Sequence, residues 1–333
     1  MNGSGEEVKR VKLDSGTSGQ WGEAKRITAH SAPVTVCKYS PDGRYIASGS
    51  DDCTIKVWRR DDFSLVQTLR GHEKGINDVS WSPDGDYLAS VSDDKSIRIW
   101  KLGPQGGIGW TADRPEELRV LRGHTHHITS VSFNFKGNIL ATGSADESVM
   151  TWDVRQGRLM KTLAAHADPV SAVTFSKDGT VLVSSSFDGL IRIWDSRSGH
   201  CLKTLAGPDK NPVMHVSFSP NGKFLLSTTL DGTIRLWNIL ESKCLKTYSS
   251  KDLGEFRHSC PSKFIMGQDT SYVIQGGFNS AKIAIWDVQT RELVHQLTHE
   301  AQDRPVLGLD VWDHDILSGG FDGQLVLFQP SQH

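Results

Sequence analysis

Histidine, serine and aspartate, the side chains that together can cleave an acyl bond, recur in this chain at fixed intervals. His30, Ser48 and Asp52 precede Trp58, and His72, Ser90 and Asp94 precede Trp100. His124, Thr142 and Asp146 precede Trp152, and His166, Ser184 and Asp188 precede Trp194. In each set the histidine stands 28 residues before the tryptophan, the hydroxyl ten before it and the aspartate six before it. A histidine that takes a proton from serine while a carboxylate orients it is the arrangement of nucleophilic catalysis. A catalytic trio is needed once, and one that returns four times with a tryptophan attached reads as architecture. No catalytic residue is assigned.

Other chemistry is equally thin. The chain has no G-x-x-x-x-G-K-[ST], no G-x-G-x-x-G between strand and helix, no H-E-x-x-H and no G-x-S-x-G. His124, His126 and His127 lie close in sequence, but His124 belongs to a recurring set, so no metal and no cofactor are expected. Five cysteines, Cys37, Cys53, Cys201, Cys244 and Cys260, are odd in number and scattered, with no C-x-x-C pair. They read as reduced structural thiols.

The elements that position these residues form a repeat. TIKVW ends at Trp58, SIRIW at Trp100, SVMTW at Trp152, LIRIW at Trp194, TIRLW at Trp237, KIAIW at Trp286 and QLVLF at Phe328. The intervals are 42, 52, 42, 43, 49 and 42 residues. Each segment alternates with period two and is rich in β-branched residues, the mark of a strand. A second strand precedes it (YIASGS, YLASVS, ILATGS, VLVSSS), a third precedes that (VTVCKY, INDVSW), and a fourth follows (LVQTL, LRVLR, LMKTL, CLKTL). Four short strands per repeat, with no helical periodicity, predict an all-β propeller of seven blades. Unit seven leaves no room for its fourth strand, and EAKRITAH at 23–30 matches that position in other units. The N-terminal strand is therefore expected to complete the last blade. The predicted organisation is a tail over 1–20 and a propeller over 21–333, with 103–117 as a loop.

Composition agrees. With 37 Lys+Arg against 39 Asp+Glu the formal charge is −2, and 37% of residues are hydrophobic. Balanced charge gives no electrostatic case for direct nucleic-acid binding or an anionic membrane surface. The apolar runs fall far short of the ~20 residues that span a bilayer, and no charged-then-apolar leader opens the chain. A soluble, intracellular protein is expected.

The G-H or A-H pairs at 71–72, 123–124, 29–30 and 165–166 and the W-D pairs at 152–153, 194–195 and 286–287 resemble WD-repeat proteins. The resemblance implies that each His, Ser/Thr, Asp and Trp set is a buried hydrogen-bonded tetrad. Indole donates, hydroxyl and neutral imidazole do both, and carboxylate accepts, so such a row can be fully satisfied. Unit five keeps Ser227, Asp231 and Trp237 without a histidine in register. Unit six offers Gly276, Ser280 and Trp286, and unit seven has Ser318, Asp322 and Phe328 with His299 one residue out of register. Blades five to seven are expected to be the looser side.

Residues 144–248, including SADESVMTWDVRQGRLMKTLAAHADPVSAVTFSKDG and VSFSPNGKFLLSTTLDGTIRLW, are similar to the WD-repeat core scaffold subunits of COMPASS and mixed-lineage-leukaemia-type histone H3 lysine-four methyltransferase complexes. That resemblance implies a non-catalytic scaffold that docks the methyltransferase catalytic subunit and a second WD-repeat subunit, with the histone H3 tail as a further ligand. It implies two sites. One is a channel mouth that takes an arginine side chain, ringed by Thr35, Asn77, Thr129, Ser171, Met214, Pro261 and Leu307, with Asp93 and Phe187 beside it. Two aromatic plates of the family fall on Thr129 and Pro261 here, so the arginine clamp is missing. The other is a cleft across blades five and six, formed by Asn221, Phe224, Leu236, Lys246 and Gln289 over Phe264 and Met266, that takes an acidic and hydrophobic tail of the second WD-repeat subunit. KRVKLD at 9–14 resembles a nuclear import signal, which places the protein in the nucleus. The alternative is an adaptor or substrate receptor in a ubiquitin ligase or RNA-processing assembly.

Overall fold

The computed structural model describes residues 21–102, 116–249, 261–266, 271–277, 281–299 and 304–330. Within them lie 28 strands in seven four-stranded sheets and no helix. The tail with KRVKLD, residues 103–115, Cys260 and Ser280 lie outside the described residues. The expected loop over 103–117 ends sooner than the sequence suggested, because the strand beginning at Glu116 already pairs with Lys101.

Blade one shows how each repeat folds. Strands β2 (Val34–Tyr39), β3 (Tyr45–Ser50), β4 (Thr54–Arg59) and β5 (Leu65–Arg70) pair in order, each antiparallel to the next. The inner three strands are buried on both faces, and the outer strand is mostly part-buried, with only its two end residues exposed. Such a sheet has two apolar faces and can cover neither, so a neighbour must pack on each side. Seven clusters result, each drawn from two adjacent blades. In one, Ile55, Val57 and Leu69 of blade one meet Ile76, Val79 and Leu88 of blade two. Close approach demands a residue without a side chain at Gly49, where a Cβ would sit 2.7 Å from Ile76 Cγ2.

The ring closes as the sequence predicts. Strand β1 (Trp21–Thr28) pairs with β28 (Gln324–Pro330), from Trp21 opposite Pro330 to Thr28 opposite Gln324. Trp21 fastens the joint. It is buried, its indole N–H donates to the His314 carbonyl at 2.8 Å, and its ring meets Tyr272 of blade six edge-on at 5.5 Å.

One irregularity shapes the channel. In six blades the inner strand carries a bulge just after its first residue, so that Thr35, Asn77, Thr129, Ser171, Met214 and Leu307 have no partner in the ladder. A bulge re-aims the extra side chain, here toward the central axis. The sixth blade has no such bulge.

Truncating Trp21 tests the closure. Trp21→Ala should cost about 3–5 kcal/mol in urea unfolding, whereas Leu240→Ala, at a side chain 80% exposed, should cost under about 0.5 kcal/mol. Equal, small losses would mean that β1 does not hold the ring shut.

Candidate functional site

The tetrads repeat to within a tenth of an ångström. His30, His72, His124 and His166 each place Nε2 2.8 Å from the hydroxyl of Ser48, Ser90, Thr142 or Ser184. Each Nδ1 lies 2.9 Å from a carboxylate oxygen of Asp52, Asp94, Asp146 or Asp188. The indoles of Trp58, Trp100, Trp152 and Trp194 donate to the same hydroxyls at 2.9 Å. The connectivity is that of a catalytic triad, but the four hydroxyl-bearing residues are fully buried and each oxygen is already held by an indole. No substrate carbonyl can reach them, and the rows act as struts.

Electrostatics fit neutral imidazoles. Burial lowers His30, His124 and His166 below the usual histidine range, against the upward pull of their aspartates. Burial alone would raise Asp146, but the Ser148 hydroxyl, the Thr125 N–H and the His124 ring outweigh it and hold it at about 2.

The later blades depart in ways the sequence only half shows. Blade five keeps Trp237 donating to Ser227 at 2.8 Å, and Asn211 donates to Asp231 at 2.8 Å. In blade seven His299 binds Ser318 through Nδ1 at 2.6 Å and faces Asp322 through Nε2 at 3.4 Å, reversing its nitrogens. Gly320 makes the room, since a Cβ there would lie 2.3 Å from Nε2. In blade six the expected position, Gly276, is one residue off. Val273 pairs with Trp286, so the strut serine's place two residues on falls to Gln275. Gln275 is fully buried, and neither its Oε1 nor its Nε2 has a partner.

All nine residues proposed for the channel mouth, Thr35, Asn77, Asp93, Thr129, Ser171, Phe187, Met214, Pro261 and Leu307, line one cavity of about 410 Å³. Four of them clasp the next blade. Thr35 donates to Ile76 O at 2.5 Å, Asn77 to Ile128 O at 2.8 Å, Thr129 to Val170 O at 2.6 Å and Ser171 to Val213 O at 2.6 Å. With those hydrogens committed to carbonyls, the three hydroxyls have only acceptor capacity left, and Ser171 already accepts from Ser185 at 2.8 Å. Asp93, which accepts from Asn77 at 2.7 Å, adds a carboxylate, and Phe187 adds a face that is 38% exposed. Asp51 stands nearby, raised by burial and then by the Asp93 and Asp52 charges. This half of the mouth accepts hydrogen bonds and suits a donor or a cation. Met214, Pro261 and Leu307 make the other half apolar.

Sequence reasoning missed the channel's interior. Lys38 pairs with Asp78 at 2.7 Å and Lys263 with Asp310 at 3.2 Å, each across a seam between blades. His215 also lines the cavity, held neutral by burial and by the Lys263 and Lys38 charges. Each lysine stands opposite the residue that follows the tryptophan's partner, Ala47 for Lys38 and Ile274 for Lys263, a register visible only once the pairing is known. His127 lines the cavity too, with Nδ1 2.6 Å from that of His126. Among the described residues no three metal-ligating groups converge.

At the blade five–six cleft the proposed residues divide. Phe224 and Phe264 pack with Val288 on a cluster that contains Leu236, and Leu236, 5% exposed, is floor rather than contact surface. Asn221 caps its own turn, accepting from Ser219 at 2.6 Å and from the Lys223 N–H. Met266 and Gln289 are exposed. Lys246 is not a free cation: its ammonium donates to Val288 O at 2.6 Å and Gln289 O at 3.2 Å. One of its three hydrogens remains for a ligand acid.

Two outcomes follow from the struts. His166→Ala should cost about 1–3 kcal/mol, and His299→Ala less, because the latter's aspartate contact is long. Equal losses in denaturant titrations would remove that distinction. Stability should also be flat above pH 6.5 and fall below it. The buried imidazoles resist the proton that the unfolded chain accepts at 6.5, so acid favours unfolding. Asp146 adds a second loss between 3.8 and about 2. Urea midpoints that rise from pH 7 to pH 5 would contradict this.

Residues 26–329 match the family model described as the WDR5 beta-propeller domain. Among curated proteins, the nuclear distribution protein nudF of Aspergillus flavus is 30% identical over 131 residues, covering 39% of this chain and 27% of the relative. The nuclear distribution protein PAC1 of Coccidioides posadasii is 32% identical over 139 residues, covering 39% and 28%. The chain thus spans under a third of the length of these relatives. The first match covers nearly the whole described ring, and the chain belongs to the WDR5 beta-propeller domain family.

Proposed function

We infer that this protein is a non-catalytic scaffold of a COMPASS-like histone H3 lysine-four methyltransferase complex, resident in the nucleus, that docks the catalytic subunit and a second WD-repeat subunit. The observation that carries the reading is the channel mouth, where lone pairs and the Asp93 carboxylate converge on one cavity and call for a cationic side chain. An arginine from the methyltransferase or from the histone H3 tail fits that chemistry. Without aromatic plates at Thr129 and Pro261 the cation–π contribution is lost, so a free arginine peptide binds weakly. The cleft supplies the firmer contact, with apolar area from Phe224 and one ammonium hydrogen from Lys246 for an acidic, hydrophobic tail. KRVKLD supports nuclear entry.

A second reading is an adaptor in another assembly. The partial match to nuclear distribution proteins favours it.

Affinity purification of the full chain from nuclear extract separates the two. The first reading expects a methyltransferase and a second WD-repeat protein among the partners. Phe224→Ala should weaken the WD-repeat partner about thirtyfold, and Asp93→Asn should weaken an arginine-bearing peptide about tenfold. Recovery of neither partner, or absence from nuclei, would sink the methyltransferase reading.

A further inference from the structure

The channel changes chemistry along its length. One half of its mouth is built from acceptors. Three residues further along the bulged inner strands, about 10 Å deeper, the wall carries two ammonium groups. At that level the register places Lys38, Ser80, Ser132, Thr174, Ser217 and Lys263, opposite Ala47, Ala89, Ala141, Val183, Leu226 and Ile274. All six line the one cavity.

An ammonium in an enclosed wall needs a partner, and each of these has one. Lys38 donates to Asp78 at 2.7 Å, and Lys263 pairs with Asp310 at 3.2 Å. The two carboxylates are also bound to the wall itself. Asp78 accepts from the Val79 N–H, the Ser130 hydroxyl and the Val131 N–H, all at 2.9 Å. Asp310 accepts from the Tyr39 N–H at 2.9 Å, and unlike the lysines it does not line the cavity. The lysine side chains are 28% and 26% exposed, against 13% and 15% for the aspartates. An ammonium has three hydrogens, and each lysine has one partner among the described residues. The acids are thus held in the strands, while the ammonium groups keep hydrogens for the channel.

Two neighbours add to them. Ser80 accepts from the Phe133 N–H at 3.2 Å, and its own hydrogen has no acceptor among the described residues. One level nearer the mouth, His215 lines the same cavity with its Nδ1 enclosed and unpartnered. Burial holds that imidazole neutral, and the Lys263 and Lys38 charges act on it together. The two ammonium groups therefore stand close to one ring, although they belong to blades six and one.

We propose that this inner level of the channel is a binding site for a small free oxyanion of the phosphate class, held by Lys38, Lys263 and the Ser80 hydroxyl. A tetrahedral oxyanion has acceptors on every side, which suits donors arriving from blades one, two and six, and hydrogen bonds between charged groups are the strong ones. Wall surrounds the level, which favours a free ion over a phosphoryl group carried on a chain. The site is separate from the acceptors of the mouth and stands apart from the identity of any protein partner.

Calorimetry on the full chain with inorganic phosphate, at an ionic strength fixed with sodium chloride, tests it. Phosphate should bind at one site, and sulfate should compete. Lys38→Met and Lys263→Met should each weaken phosphate about tenfold. Lys203→Met, which removes an ammonium that grips Ile239 O outside the channel, should leave it within about twofold. Asp310→Asn can still accept from the Tyr39 N–H but no longer competes for Lys263, so it should tighten phosphate about threefold, a gain that a damaged fold cannot produce. No heat from phosphate, equal losses at Lys203 and Lys263, or a phosphoserine peptide that binds where free phosphate does not would overturn the proposal.

Discussion

A four-stranded sheet with two apolar faces cannot exist alone in water, and that constraint organises everything else in this protein. Each blade covers one face of the next, so stability requires a closed circle rather than a stack with two bare ends. Closure falls to a strand from the far end of the chain, pinned by Trp21. With the circle shut, the inner strands converge on an axis, and in six of the seven blades a bulge turns one side chain toward it. The channel is thus a product of closure.

The same constraint explains why histidine, serine and aspartate recur without catalysis. A polar row buried between two blades is tolerable only if every donor and acceptor is used. The four regular struts meet that condition with a neutral imidazole in the middle. The clasps at the mouth meet it by turning hydroxyl hydrogens into the wall, which leaves acceptors on one half of the mouth. Recognition chemistry here is a by-product of structural bonding, which is why Asp93, the carboxylate at the rim, carries so much of the mouth's character.

Much of this was legible in the sequence, because the repeat is local. Trp58 to Trp194 and their partners fall at fixed intervals, and the bulge residues sit at one register position, so both could be read without coordinates. What was not legible depends on spacing that drifts or on contacts far apart in the chain. Gln275 replaces the strut serine because the interval to Trp286 is one residue longer than in other blades. His299 recovers its strut by reversing its nitrogens, which depends on the absent side chain of Gly320. The bonds that occupy the Lys246 ammonium cannot be read from its surroundings in sequence, because its carbonyl partners lie more than 40 residues away. The pairing of Lys38 with Asp78 likewise joins two repeats whose relation only the ring makes plain.

We propose that the half of the mouth lined by Thr35, Asn77, Asp93, Thr129 and Ser171 selects a cation. Calorimetry with three peptides that differ at one side chain measures this directly: arginine, its neutral analogue citrulline, and glutamate. Arginine should bind at least about tenfold more tightly than citrulline, with no detectable heat from glutamate. A glutamate peptide bound as tightly as the arginine peptide would contradict it.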